Sequence, residues 1–121
     1  MQTDRELLEL AAKAAGLEYH WVKVDGGSLM QASEPGSRSE ESWNPLTDDG
    51  DALRLAVKLK IDLKLYDDHV VAWFDGGYIG TGKILYGDDP QAATRRAIVR
   101  AAAETGVQAH PDNKDGGAVY G

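Results

Sequence analysis

The sequence predicts an α+β fold in which an antiparallel sheet, a three-strand meander plus an N-terminal strand or hairpin, is layered with three helices. Three observations carry this prediction. Apolar residues recur at helical spacing in three blocks, alternating or β-branched runs lie between them, and turn residues mark the boundaries. At 121 residues the chain has room for one core. We expect a single domain over residues 1–107 and a flexible tail over residues 108–121.

The N-terminal block predicts a helix and then a hairpin. Thr3 and Glu6 form a capping-box pair, and the apolar spacing that follows continues to Gly16, which predicts a helix over about residues 4–15. The aromatic and β-branched run 19–24, a glycine turn and the weaker run 28–32 predict the hairpin. Residues 33–42 contain no apolar residue and predict a solvated loop.

The segment Trp43–Asp51 combines turn residues with helix-start residues. One of its aspartates is expected to cap a second helix that ends near Leu59. The helix is expected to bury an apolar stripe formed by Ala52, Leu55, Ala56 and Leu59. Its opposite face, expected in water, carries Asp51, Arg54 and Lys58.

The second half of the chain predicts the meander and a third helix. Residues 61–66 alternate as a strand with one wet face, and runs at 70–74, 78–79 and 84–86 follow after short links. Asp89 and Pro90 begin an alanine-rich helix that is expected to end near Thr105, with Gly106 as its stop. The polar faces of the second and third helices indicate that these helices cover the sheet without being sandwiched themselves.

The composition excludes several classes of protein. The net charge of −7 argues against a general phosphate-binding surface, so nucleic acid is not the expected partner. The absence of cysteine excludes disulfides and thiolate metal sites. The N-terminus does not read as a signal peptide, and no apolar run approaches the roughly 18 residues of a membrane span. We therefore expect a cytoplasmic protein without a membrane partner.

One segment imitates a phosphate-binding loop. Gly77–Lys83 satisfies the G-x-x-x-x-G-K spacing, but Ile84 stands where a magnesium-binding serine or threonine is needed. The residues that follow predict a strand, so no helix N-terminus would face a phosphate. A glycine-containing bulge or hairpin is the expected structure.

The sequence holds no assembled catalytic set. Paired carboxylates lie at loops and helix starts, where capping and the helix dipole favour them, and no nucleophile-elbow sequence is present. His20, His69 and His110 lie in different blocks. We predict no catalytic residue, metal site or cofactor, and hence no enzyme. The alternative is a small metal-dependent enzyme or factor that uses Asp67, Asp68 and His69.

The favoured function is protein–protein contact. Residues 40–51 hold five acidic and no basic residues around Trp43, which we expect to be exposed, a combination suited to a basic partner surface. The predicted partner-binding residues are Trp43, Asn44, Asp48, Asp49 and Asp51. In the alternative interpretation, Trp43 pins the loop onto the core.

A row of arginines supports a further alternative. Arg95, Arg96 and Arg100 line one side of the third helix, where they would contact nucleic acid or form a solvated face with local ion pairs. The overall acidity favours the solvated face. Mimicry of nucleic acid by the acidic surface is a further alternative.

Two long segments carry a resemblance to a known family. Trp43–Val57 and Gly87–Glu104, in that order, resemble small uncharacterised proteins of tailed bacteriophages and prophages that contain the phage ABA sandwich domain. The similarity covers most of residues 1–107 and includes the opening helix, whereas residues 25–42 and 107–121 do not match. It implies a sheet between helical layers and a phage or prophage accessory protein that contacts a host or phage protein in the bacterial cytoplasm. No activity, cofactor or catalytic residue comes with it.

Overall fold

The computed structural model describes residues 2–74, 76–77 and 79–109, and over these residues the fold is α+β, as predicted. The helices are α1 (Asp4–Ala14), α2 (Asp49–Leu59) and α3 (Pro90–Ala109). The strands are β1 (Glu18–Val24), β2 (Gly27–Ser33), β3 (Glu41–Ser42), β4 (Asp62–Leu65), β5 (His69–Phe74), β6 (Ile79–Gly80) and β7 (Ile84–Leu85). Sheet A has the order β1-β2-β3, and sheet B has the order β4-β5-β6, with β7 also paired to β5.

The start of the chain folds as its local signals predict. The Thr3 N–H donates to Glu6 Oε1 (2.8 Å) and the Glu6 N–H donates to Thr3 Oγ1 (3.1 Å), which confirms the capping box. Strands β1 and β2 pair antiparallel over their full length of seven residues. The expected loop 33–42 is wrong at both ends, because Ser33 belongs to β2 and because Glu41 and Ser42 pair with β2 and form β3.

The antiparallel meander is confirmed, with its third strand in two pieces. Strand β6 pairs with the end of β5 at Trp73 and Phe74, and β7 pairs with its beginning at His69 and Val70. The expectation of a single wet face for β4 is wrong, because all four of its residues are exposed. Its apolar face opposes buried residues of β5 but lies at the edge of the sheet, beyond the cover of the helices.

Helix α3 does not stop at Gly106, as the sequence predicted, but continues to Ala109. A Cβ atom on Gly106 would lie 2.5 Å from the carbonyl oxygen of Leu10. Glycine is therefore required for the close approach of α1 and α3 rather than for a cap. Residues 108 and 109, assigned to the flexible tail, belong to this helix, and the rest of the expected tail lies outside the described residues.

Helix α3 also occupies the middle of the molecule. It packs on β5 on one side and on α1 and α2 on the others. The prediction that this helix covers the sheet without being sandwiched is wrong, because its short side chains let neighbours approach from several directions. The fully buried alanines of the helix are Ala97, Ala101 and Ala102.

Helix α1 connects two hydrophobic clusters. Leu7 and Ala11 join the main cluster with α3 and sheet B, whereas Leu8 and Ala12 join a smaller one with Met30 of β2. The contacts therefore run from sheet A to α1, from α1 to α3 and from α3 to sheet B. Helices lie between two sheets here, whereas the resemblance implies a sheet between helical layers.

Candidate functional site

Trp43 lies where the short strand β3 leads into the turn before α2. Its N–H donates to the Met30 carbonyl (3.0 Å), which extends the contact of this segment with β2. Its side chain is half-buried, not exposed as expected, and packs against both hydrophobic clusters. The indole thus fastens the segment to the core, which is the alternative that the sequence left open, while part of it stays accessible.

The other predicted residues mainly hold the segment in shape. The Asn44 side chain accepts from the Leu46 N–H (3.0 Å), and the Asn44 N–H donates to Asp51 Oδ2 (2.9 Å). Asp48 is the cap of α2, since its Oδ2 accepts from the Asp51 N–H (2.8 Å). Asn44 and Asp48 therefore have defined internal partners.

Asp51 is buried, at 9% exposure, although the sequence places it on the wet face of α2. Burial of the carboxylate is possible because the Asn44 N–H and the Arg54 guanidinium, at 2.8 Å from Oδ1, both donate to it. This hydrogen bond also raises the pKa of Arg54. Helical periodicity alone places Asp51 on the solvent-facing side of α2, because a periodic pattern contains no information about these partners.

Asp49 connects the segment to α3. Its Oδ1 accepts from Arg95 Nη1 (2.6 Å), and Arg95 Nε donates to the Leu46 carbonyl (2.8 Å). The Arg95 side chain is largely buried, whereas that of Asp49 is exposed. Asp49 is thus accessible while already neutralised by a partner within the protein.

These contacts border a cleft of about 280 Å³ between α2 and the segment that follows β2, which we call the Trp43 cleft. Its apolar lining includes Leu17, Ala32, Trp43 and Leu55. Its charged lining includes Glu34, Glu41, Arg54 and Lys58. The Lys58 ammonium bonds Glu34 Oε2 (2.7 Å) and connects the helix to the opposite wall. Apolar and charged groups therefore converge on one concave surface, as is common in binding sites.

The segment that imitates a phosphate-binding loop has a different structure. It supplies β6 and leads directly into β7, so a strand follows it, as predicted. A Cβ on Gly80 would lie 2.7 Å from the Trp73 ring, and Gly82 has a φ of +81°. Gly80 is explained by the close approach of the Trp73 ring, and Gly82 by its positive φ.

The turn between β4 and β5 forms a small polar cluster. Asp68 Oδ1 lies 2.6 Å from His69 Nδ1, and the His69 ring stacks on Tyr66 with centroids 4.3 Å apart. The hydrogen bond with His69 lowers the pKa of Asp68. Within residues 2–74, 76–77 and 79–109, no group of three or more histidine, aspartate or glutamate side chains is placed to hold a metal ion. His110 lies outside these residues.

Two of the three arginines of α3 bind protein groups. Arg95 contacts Asp49 and Leu46, and Arg96 Nη2 contacts both carboxylate oxygens of Asp4, at 3.0 and 3.2 Å. Arg100 is exposed. Ion pairs therefore occupy most of the row, as one of the two sequence interpretations expected, but their partners lie on other helices and Arg95 is largely buried rather than on a solvated face.

Sequence reasoning missed two features. The Trp21 Nε1–H donates to Glu9 (2.8 Å) while the Arg5 guanidinium lies 4.1 Å from the centre of its ring, which fastens α1 to sheet A. An apolar groove also lies beside β4, and Leu53, Leu63 and Leu65 are among the residues that line it. The signal for the groove in the sequence is Leu53, an apolar residue of α2 outside the predicted buried stripe.

Comparison with known proteins found no matching family model, no matching curated protein and no matching solved structure. The resemblance to the phage ABA sandwich family therefore stays a prediction. Among the described residues, no helix is both long and apolar enough to cross a membrane.

Proposed function

We propose that the protein is a non-enzymatic binding module that takes a short segment of a partner protein in the Trp43 cleft. The observation that supports this most strongly is the position of Trp43, a half-buried indole that lines a concave surface beside Glu34 and Glu41. Partly accessible aromatic residues in such pockets often carry a large share of binding energy. A suitable ligand would insert an apolar side chain against the indole and place Lys or Arg near the carboxylates.

Charge supports a basic ligand. Residues 33–51 contain six carboxylates and a single basic residue, Arg38. Asp49 and Asp51 are neutralised internally, but Glu41 has no ion pair within the described part of the chain. An incoming cation would therefore interact with Glu41 without breaking a direct ion pair, in competition with the longer-range attraction between Glu41 and Arg54.

The predicted binding residues divide into two roles in this proposal. Trp43 contacts the ligand, whereas Asn44, Asp48, Asp49 and Asp51 hold the turn and the start of α2 so that the cleft keeps its shape. We further propose that the protein is a phage or prophage accessory protein acting in the bacterial cytoplasm. The resemblance of Trp43–Val57 and Gly87–Glu104 supports this role, and affinity purification from infected or induced cells, with mass spectrometry, would identify the partner.

A display library of short peptides tests the binding mode directly. We expect the wild-type protein to enrich peptides in which an apolar residue is flanked by Lys or Arg. Glu41→Arg should weaken binding of the enriched peptides by about tenfold, because the substitution replaces an attraction for the ligand cation with a repulsion. Glu104→Arg on α3 is the matched control, because Glu104 is exposed and does not line the cleft.

Trp43→Phe provides a second variant, because it keeps an apolar ring against both clusters while reducing the contact area. Circular dichroism and thermal unfolding check that each variant is folded. Failure to enrich any such peptide, or equal losses for Glu41→Arg and Glu104→Arg, would contradict the proposal.

A further inference from the structure

Strand β4 is an open edge of sheet B. In the part of the chain that the structure describes, it pairs with β5 on one side only. Leu63 is 38% exposed and Leu65 is 61% exposed. An open edge strand with apolar side chains is a template for pairing with another strand.

The hydrogen-bond alternation shows which backbone groups point outward. The Tyr66 N–H donates to the His69 carbonyl (2.8 Å), so in an antiparallel ladder every second residue of β4 from Tyr66 bonds to β5. The N–H and C=O groups of Leu63 and Leu65 then point to the open edge. Ala72, which is opposite Leu63, agrees with this pattern, because its carbonyl accepts from Thr81 of the segment after β6 (2.9 Å).

An apolar groove of about 410 Å³ lies beside this edge, and we call it the β4 groove. It is lined by Leu53, Leu63, Leu65, Tyr86 and Ile98, together with polar residues of α2 and α3. Val57 is one helical turn from Leu53 on α2, and both are highly exposed, at 66% and 64%. The exposed apolar residues of α2 therefore continue from Leu53, which lines the groove, to Val57 one turn further along the helix.

We propose that this edge binds the same edge of a second copy of the chain, with the two β4 strands antiparallel and Leu63 opposite Leu63. A two-fold axis perpendicular to the sheet keeps the leucines of both copies on one face of the joined sheet. Only a register in which leucine-face residues lie opposite leucine-face residues satisfies this symmetry. The Leu63 residues of the two copies exchange both of their backbone hydrogen bonds. Leu65 lies opposite Ile61 of the second copy, where only the Ile61 carbonyl takes part, because the Ile61 N–H already donates to the Ala56 carbonyl (2.9 Å) and its side chain is buried.

The charges of β4 select this register. With Leu63 opposite Leu63, Asp62 lies opposite Lys64 of the second copy, and the two-fold axis repeats this attractive pair. A shift by two residues in one direction places Asp62 opposite Asp62, and in the other direction it places Lys64 opposite Lys64. Opposite charges across an antiparallel pair stabilise it, whereas like charges destabilise it. The strand is therefore self-complementary in one register, which identifies a second copy as the occupant.

The apolar surface fits the same arrangement. Because both copies present their leucines on one face of the joined sheet, the two β4 grooves meet at the axis. The exposed side of α2, with Leu53 and Val57, then faces the same helix of the second copy. This surface shares no lining residue with the Trp43 cleft. A failure of the dimer proposal would therefore not affect the proposed binding of a partner segment, and the reverse also holds.

Sedimentation equilibrium of the full chain over a wide concentration range, combined with charge-reversed variants, tests the proposal. The wild-type protein should show a reversible monomer–dimer equilibrium. Asp62→Lys places two lysines opposite two lysines, and Lys64→Glu places acids opposite acids. Each variant alone should raise the dimer dissociation constant by about tenfold or more.

The decisive measurement is a mixture of the two single variants. In the proposed register, Asp62→Lys and Lys64→Glu form a heterodimer whose cross-strand pairs are all attractive, so the mixture should associate at least as strongly as the wild type. Restored association also shows that both variants are folded. A wild-type chain that stays monomeric, as expected if the edge binds a strand of another protein, would overturn the proposal. A dimer that resists both substitutions, or a mixture that stays monomeric, would also overturn it.

Discussion

The contact between α1 and α3 and the segment from Trp43 to Asp51 are stabilised in opposite ways. The helices approach so closely that Gly106 lies against the Leu10 backbone, apolar residues pack around this point, and the Asp4–Arg96 ion pair adds to the contact. The segment is held by the packing of Trp43 and, unlike the helix contact, by a set of hydrogen bonds accepted by the Asn44, Asp48 and Asp51 side chains. The stability of the helix contact is therefore limited by the space between the helices. The stability of the segment is limited by whether each polar group keeps its hydrogen-bond partner.

This difference decides which substitutions each region tolerates. Adding a methyl group should damage the helix contact, because a backbone carbonyl cannot move aside as a flexible side chain can. Removing a polar atom should damage the segment, because a donor that is left unpaired loses its partner without regaining water. Each region should tolerate the change that damages the other.

The largest effect is expected for Gly106→Ala. The new Cβ would lie 2.5 Å from the Leu10 carbonyl oxygen, so α1 and α3 must separate. We expect the free energy of unfolding, measured with urea, to fall by about 2 kcal/mol. Gly50→Ala is the matched control in α2, because the nearest atoms that its Cβ would meet belong to side chains, the Arg54 guanidinium at 3.2 Å and Asp48 Oδ2 at 3.3 Å, and not to the backbone.

Alanine has the higher helix propensity, so Gly50→Ala should be neutral or stabilise the protein by up to about 1 kcal/mol. The two substitutions are chemically identical and should differ in sign. If Gly106→Ala were as stable as the wild-type protein or more stable, the space between α1 and α3 would not limit their contact.

Local signals in the sequence predicted the elements well. The capping box at Thr3, the aspartate cap of α2 and the start of α3 after Asp89 all depend on residues within one helical turn. The strand runs of the meander were equally visible, because alternation and turn residues are properties of short segments. These features could therefore be predicted without the rest of the fold.

Long-range contacts could not be predicted in this way. Gly106 looks like a helix stop in the sequence, since the same residue suits a left-handed cap and a close helix contact. Arg95 reaches the Leu46 carbonyl across 49 residues, and no local pattern contains that information. The composition around Trp43 indicated an accessible acidic site, but the internal partners that bury Asp51 become visible only in the folded chain.

The second largest effect is expected for Asp51→Ala. The substitution leaves the Asn44 N–H without its acceptor and removes the partner of Arg54. We expect the free energy of unfolding to fall by about 1.5 kcal/mol, whereas Asp88→Ala at an exposed position should change it by less than about 0.5 kcal/mol.

Asp51→Asn should be intermediate, since the amide oxygen still accepts from Asn44 while the charge opposite Arg54 is lost. Urea unfolding of the three variants gives the comparison. Equal stabilities for Asp51→Ala and Asp88→Ala would mean that the buried carboxylate does not hold the segment.

The smallest effect is expected at Asp68, whose contact with His69 is also a short polar pair but is exposed on the Asp68 side. The hydrogen bond with His69 holds the pKa of Asp68 below its ordinary value of 3.8 in the folded protein. Its contribution to stability is therefore complete above that ordinary value and is lost as the pH falls through the lower folded pKa. The stability advantage of the wild type over Asp68→Asn should fade over this interval.

An NMR titration of the Asp68 carboxyl carbon, with His69→Asn as the control, measures the pKa of Asp68 directly. Replacing the imidazole should bring the pKa of Asp68 back toward 3.8, because the largest cause of its shift is removed. Water competes for an exposed carboxylate but not for a buried one, so this pair should matter less to stability than the contacts of Asp51. A pKa at or above 3.8 in the wild-type protein would show that the exposed pair is not formed in solution.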